Sequence, residues 1–106
     1  MFSVLTDDLE HCYISGGMPV ALHHIFYGND HDFSEKYGFL VPLRPDYHNT
    51  SNYSVHLNPK GELDMKLKLL CIEWWLNSGR TKEQWLKECS MWYEPEKPKF
   101  EVPKIF

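Results

Sequence analysis

Basic residues, and arginine in particular, are scarce in this chain of 106 residues. Eleven Lys and Arg side chains stand against fifteen Asp and Glu, which gives a formal net charge of −4, and Arg44 and Arg80 are the only arginines. Proteins that bind DNA without sequence preference usually carry a basic face, so the composition argues mildly against avid DNA binding. It remains compatible with a local basic patch, because charge can be unevenly distributed.

Long apolar runs and paired cysteines are also missing. No run of 18 apolar residues occurs, so we expect no transmembrane helix and no membrane partner. The first residues, MFSVLTDDLEHC, lack the basic region and the long apolar stretch of a secretory signal. Three cysteines, Cys12, Cys71 and Cys89, show no paired spacing, which favours reduced thiols in the cytoplasm.

The remaining pattern predicts an α+β fold that begins with two strands. Residues 19–26, PVALHHIF, have the β-branched and aromatic content of a strand, with the proline at an edge position. Residues 27–38 predict a polar loop with one helical turn near 34–37. Residues 39–43, FLVPL, predict a second strand, which could pair with the first as an antiparallel ribbon.

Three helices are predicted after the strands. Asp46 is a plausible N-cap for a first helix over 46–58. The strongest helical pattern lies in 62–78, and Gly79 is placed to end it. Thr81, with a glutamine three residues later, forms a capping-box pattern that begins the last helix, with Trp85, Cys89 and Trp92 on its apolar face.

One domain with a short tail is the expected organisation. We assign residues 1–93 to the domain, with its core motif in 19–58, and 94–106 to a proline-rich tail. The tryptophan-rich C-terminal helices could form a homodimer interface or complete the small core, and the sequence leaves both open. The tail is expected to be extended or loosely docked through Phe100, Val102, Ile105 and Phe106.

Four histidines form the most informative pattern. His23 and His24 are adjacent on the first predicted strand, so their side chains point to opposite sides. His48, Asn52 and His56 recur every four residues and would share one side of the predicted helix. A hairpin followed by a helix can bring such groups to one ion, and imidazole suits zinc and other transition ions.

Three linked segments carry a resemblance to a known family. They are HHIF-x-G from position 23, SEKYG-x-x-VPLRP-x-x-HN from position 34, and VH-x-N from position 55, followed by the helix opening ELDMKLK. In this order and spacing the chain resembles the HNH (ββα-metal) endonuclease-like proteins of bacteriophages and prophages, related to recombination-associated nucleases. The resemblance covers about residues 5–93 and implies a small ββα-metal core with two additional C-terminal helices.

The resemblance also implies a mechanism with one divalent metal ion (Mg, Mn, Ni or Zn). His23 would be a metal ligand, and His24 would be the general base that takes a proton from the attacking water. His48 would supply the second ligand and His56 the third, with Asn52 as the competing candidate. The ion would give Lewis-acid assistance at a DNA phosphodiester, in the cytoplasm of a bacterial host cell.

Three basic residues are candidates for contacts with DNA. Lys60 and Lys66 are predicted to bind phosphates, although a solvated helical surface explains them equally well. Arg44 could contact the scissile phosphate or fill space where relatives hold a zinc ion.

The chain departs from the family at four places. Two Cys-x-x-Cys pairs of many relatives are reduced to Cys-Tyr-Ile-Ser at 12–15 and Arg-Pro-Asp-Tyr at 44–47, so no structural zinc is expected. The middle asparagine of the HNH name would fall near Phe39, and the loop expected to be basic contains Asp30 and Asp32. These departures favour an alternative: a nuclease-derived binding protein with weak or no activity, such as a phage inhibitor of a host defence protein. A recombination accessory nuclease that needs a host partner is a further alternative.

Each histidine also has an ordinary structural interpretation. His23 and His24 could be polar residues of a strand, His48 could cap its helix, and His56 could be a half-buried helix residue. His31 is expected to be solvated, or to approach the metal from the loop.

Overall fold

Two short strands form the ribbon on which the molecule is built. The computed structural model describes residues 1–95, in which β1 (Ala21–His24) pairs with β2 (Leu40–Leu43) in antiparallel register. His23 lies opposite Val41, and β2 is buried along its whole length. The predicted antiparallel ribbon and the α+β class are therefore confirmed, with strands shorter than the sequence pattern indicated.

The connection between the strands is more helical than predicted. A 3₁₀ turn at Gly28–Asp30 leads into α1 (His31–Tyr37), where the sequence had indicated a loop with a single helical turn. Ser34 anchors this helix because its hydroxyl donates to the Phe26 carbonyl (2.6 Å) and accepts from the Phe26 N–H (2.9 Å). The helix ends at Gly38, whose φ of 74° is a left-handed conformation that glycine adopts without steric cost.

The predicted helix over 46–58 is wrong. Only one turn forms, α2 (Pro45–His48), and its N-cap is Arg44 rather than Asp46, because the proline occupies the first helical position. Beyond it the chain turns repeatedly through residues 49–61. Serine, threonine and asparagine side chains offer the backbone alternative hydrogen bonds, which explains why this stretch leaves the helix.

Two further helices follow, as predicted. The first, α3 (Glu62–Asn77), ends before Gly79, whose φ is 87°. The second, α4 (Lys82–Leu86), begins with the expected capping box, in which the Thr81 hydroxyl accepts from the Gln84 N–H. Because α4 ends at Leu86, the prediction that its apolar face includes Cys89 and Trp92 is wrong.

Aromatic side chains from both halves of the chain fill the core. Trp75 and Trp85 are buried, and Trp85 packs edge-to-face on Phe26 (5.2 Å between ring centroids) and on Phe33 (4.9 Å). The C-terminal helices thus complete the core of a single chain, and a homodimer through them stays a prediction.

The remaining sequence expectations concern membrane-spanning helices and the C-terminal tail. Within residues 1–95, the helices are all too short or too polar to cross a membrane. At the start of the tail, Glu94 accepts from the Lys82 ammonium at 2.6 Å. The expected docking of Phe100, Val102, Ile105 and Phe106 lies outside the described residues.

Candidate metal centre

Three imidazoles from three segments converge beside the ribbon. His23 projects from β1, His48 is the last residue of α2, and His56 lies in the loop that follows. Their ring centroids are 5.3 Å (His23–His48), 5.1 Å (His23–His56) and 4.7 Å (His48–His56) apart. One nitrogen of each ring lies within 4.8 Å of the others, so the three together could hold a metal ion.

His23 is the buried member of this group, and its ring lacks partners. Its exposed fraction is 1%, and neither ring nitrogen makes a hydrogen bond within the described part of the chain. The pKa of His23 is lowered to about 3, mainly because the ring is buried and to a smaller extent because His48 and His56 lie nearby. The ring is therefore neutral at ordinary pH. A buried polar group without a partner is costly, and an ion would give this ring one.

The other two rings already lie at a separation that suits an ion. The Nε2 atoms of His48 and His56 are 3.1 Å apart. Tetrahedral zinc with bonds of about 2.0–2.1 Å separates two nitrogen ligands by about 3.3 Å, so little movement is needed. Burial and the neighbouring His56 lower the pKa of His48, which keeps a lone pair available on its ring.

Backbone hydrogen bonds, rather than a helix face, bring His56 beside His48. The His56 N–H donates to the His48 carbonyl at 3.1 Å, and the Val55 N–H donates to the Tyr47 carbonyl at 2.9 Å. The fully buried Val55 side chain anchors the loop in the core. The sequence grouped these histidines together correctly but for a wrong geometric reason. Asn52 lies exposed in the same loop, and its role as a competing ligand stays a prediction.

His24 lies on the opposite side of β1, as the strand period predicted. Its side chain is 17% exposed, and its Nε2 lies 3.2 Å from Glu35 Oε1. Its ring stacks on His31, with centroids 3.9 Å apart and planes at 22°. His31 therefore joins His24 rather than the first group. Among residues 1–95, five of the six histidines fall into two groups: a first group of His23, His48 and His56, and a second group of His24 and His31 with Glu35.

The three predicted phosphate contacts differ in their surroundings. Arg44 is exposed, and its Nε lies 3.4 Å from a carboxylate oxygen of Asp46. Lys60 is exposed and borders a surface depression that includes Tyr27. Lys66 is exposed on α3 and borders two other depressions. These positions leave DNA contact as a prediction for all three.

Sequence reasoning did not place Tyr27, Asp64 or Lys68 next to the buried group. The Tyr27 ring lies 5.2 Å from that of His56, and the Lys68 ammonium lies 5.3 Å from the Tyr27 ring centroid. Lys68 is buried and forms an ion pair of 2.9 Å with buried Asp64. The one available signal was the spacing of four residues between Asp64 and Lys68 on a predicted helix.

Two of the family departures have structural explanations. The Asp30 carboxylate is buried and accepts from the Ser90 hydroxyl (2.6 Å) and the Ser90 N–H (3.3 Å), so it fastens the C-terminal segment to the loop. Phe39, where the middle asparagine was expected, is a fully buried core residue. Asp32, by contrast, is exposed.

Comparisons with protein-family models, with curated proteins and with solved structures found no match. The functional argument therefore rests on the geometry and chemistry of the two histidine groups.

Proposed function

We propose that this protein is a phage-encoded, metal-dependent HNH-type endonuclease with a ββα-metal core, which hydrolyses phosphodiester bonds of DNA. One observation carries the proposal: His23, His48 and His56 converge, and the buried ring of His23 has no hydrogen-bond partner among residues 1–95. Structural polar residues of a strand or helix would not be expected to leave both nitrogens of a buried ring unpaired.

The three imidazoles are the proposed metal ligands. Three protein ligands that leave a coordination position for water or substrate are typical of catalytic rather than structural zinc sites. When bound, a divalent ion supplies Lewis-acid assistance to the scissile phosphate. Burial keeps the His23 ring neutral, so its nitrogen can bind a metal ion. The Nε2 atoms of His48 and His56 already lie close enough together to bind the same ion.

His24 is the proposed general base. It ends β1, next to the buried ligand, and its partial exposure lets water reach its ring. A general base must take a proton near neutral pH, which suits imidazole. Glu35, at 3.2 Å, would hold the ring in place and stabilise it once it is protonated. The substrate would have to reach across the end of β1, from His24 on the outer side to the half-buried His48 and the exposed His56.

A plasmid-nicking assay with metal analysis tests the proposal. We expect metal-free protein to be inactive and Mg²⁺, Mn²⁺, Ni²⁺ or a single equivalent of Zn²⁺ to restore nicking. His24→Ala should abolish nicking while keeping the fold and the metal at the first group. His11→Ala is the matched control, since His11 is an exposed histidine that pairs with Asp8, away from both histidine groups. If none of the four metals supports cleavage of single- or double-stranded DNA, the endonuclease proposal is wrong.

A second candidate function is binding without cleavage. It is favoured by the net charge of −4 and by the exposed carboxylates of Asp32 and Glu35, close to where a phosphate would have to approach His24. Such a protein could occupy the basic nucleic-acid channel of a host defence protein. This candidate predicts a stoichiometric host partner and unchanged partner binding in His24→Ala. A recombination accessory nuclease would instead cut only when a host filament presents the DNA.

A further inference from the structure

We propose that the chain carries a second zinc site, formed by His24, His31 and Glu35 on the outer side of β1. The site is separate from the His23 group, because adjacent strand residues direct their side chains to opposite sides. Its consequence for catalysis rests on the proposed function, whereas its existence does not.

The three donors are positioned by two elements that pack together. His31 and Glu35 are four residues apart on α1, so they share one side of that helix. His24 reaches them from β1, and Ser34 fixes α1 against the end of that strand through its hydrogen bonds to Phe26. The arrangement therefore belongs to the fold, although two of the side chains are about half exposed.

Distances within the group suit an ion. His24 Nε2 and Glu35 Oε1 are 3.2 Å apart, close to the separation of about 3.3 Å that tetrahedral zinc gives two of its N or O ligands. A nitrogen of His31 lies within 4.8 Å of both. The His31 Nδ1 atom is also 3.5 Å from Asp32 Oδ1.

The chemistry of the donor set selects the metal. Two imidazoles and one carboxylate form the His₂Glu set found in zinc enzymes, and they leave a fourth position for water. Magnesium prefers oxygen ligands in near-octahedral geometry and keeps several waters, so it is a poor match for this set.

Occupation of this site would stop His24 from acting as a base. A nitrogen that donates its lone pair to zinc cannot also take a proton from water. Zinc in slight molar excess over the protein would therefore inhibit DNA nicking that another divalent ion, bound at the His23 group, supports. This part of the inference depends on the proposed endonuclease activity.

Zinc stoichiometry tests the site without any reference to activity. Chelator-stripped full-length protein is titrated with Zn²⁺, and bound zinc is counted by elemental analysis and by intact mass under native conditions. We expect two zinc ions per chain in the wild type and in His11→Ala, and one in His31→Ala and in Glu35→Gln. Both test substitutions are at exposed positions, and circular dichroism checks that the fold is kept. If both variants bind as much zinc as the wild type, with equal affinity, the second site does not exist.

A nicking assay separates this inference from the proposed function. With Mn²⁺ held constant, added zinc should inhibit the wild type at concentrations that leave His31→Ala active. Equal inhibition of the two proteins would overturn the regulatory part. If wild type binds one zinc ion and Glu35→Gln changes only the nicking rate, Glu35 is a hydrogen-bond partner of His24 and the second site is refuted. If no metal supports nicking, the endonuclease proposal fails while the zinc count still decides the second site.

Discussion

Removal of the buried carboxylate of Asp64 should destabilise the protein strongly. Lys68 is 2% exposed and Asp64 is 1% exposed, with Lys68 Nζ 2.9 Å from Asp64 Oδ2. Asp64→Asn would leave the ammonium buried without its counter-charge, which typically costs about 3–5 kcal/mol. The same oxygen also accepts from the Lys60 N–H at 2.9 Å, and a weakened hydrogen bond there adds up to about 1 kcal/mol. A domain is usually stable by about 5–15 kcal/mol, so the loss is a large fraction of the total.

Urea denaturation followed by tryptophan fluorescence measures this loss, with chelator present so that metal binding does not contribute. Glu73→Gln is the matched control, because Glu73 is an exposed carboxylate on the same helix, and it should change stability by less than about 0.5 kcal/mol. The double variant Asp64→Leu with Lys68→Met should recover most of the loss, since it removes both charges. The reasoning is refuted if Asp64→Asn costs less than about 1 kcal/mol, or if the double variant is no more stable than Asp64→Asn.

Three further predictions concern the first histidine group. Val55→Ala should cost about 1.5–3 kcal/mol in urea denaturation, because Val55 is fully buried, and it should weaken zinc binding by loosening the loop that carries His56. Zinc at about 100 times its dissociation constant should raise the free energy of unfolding by about 2.7 kcal/mol, and the thermal-shift gain should be much smaller in His23→Ala. In metal-free protein, the free energy of unfolding should fall by up to about 1.4 kcal/mol per pH unit as the pH drops below about 6.5. The reason is that His23 takes up a proton in the unfolded state, whereas burial lowers its pKa to about 3 in the folded state. His23→Leu should flatten this pH dependence.

The sequence predicted the parts of the fold that depend on local pattern. Strand period alone placed His23 and His24 on opposite sides of β1, and the structure agrees. The capping box at Thr81 and the glycine at position 79 marked a helix start and a helix end correctly. These features depend on a few neighbouring residues, so one sequence is enough to show them.

Features that depend on tertiary contacts were missed. The loop after α2 is held by the burial of Val55 and by its N–H bond to Tyr47, and neither leaves a periodic signal in the sequence. Only one turn of α1, near 34–37, was predicted, because the buried residues of this helix are limited to Phe33 and Ser34. Without that helix, the spacing of His31 and Glu35 had no meaning, and the second histidine group could not be recognised.

The two histidine groups should differ in zinc affinity, because they start from different states. At the first group the buried His23 ring has no hydrogen-bond partner in the described part of the chain, so a bound ion relieves an existing cost. At the second group His24 already has Glu35 as a partner, and His31 and Glu35 are exposed to water, so zinc must replace interactions that are already satisfied.

We therefore expect two separate phases in a zinc titration by calorimetry. His48→Ala should remove the tighter phase, and His31→Ala the weaker one. Loss of the tighter phase in His31→Ala would show that burial of His23 is not what governs affinity. It would also mean that the outer side of β1, rather than its buried side, is where this chain first binds zinc.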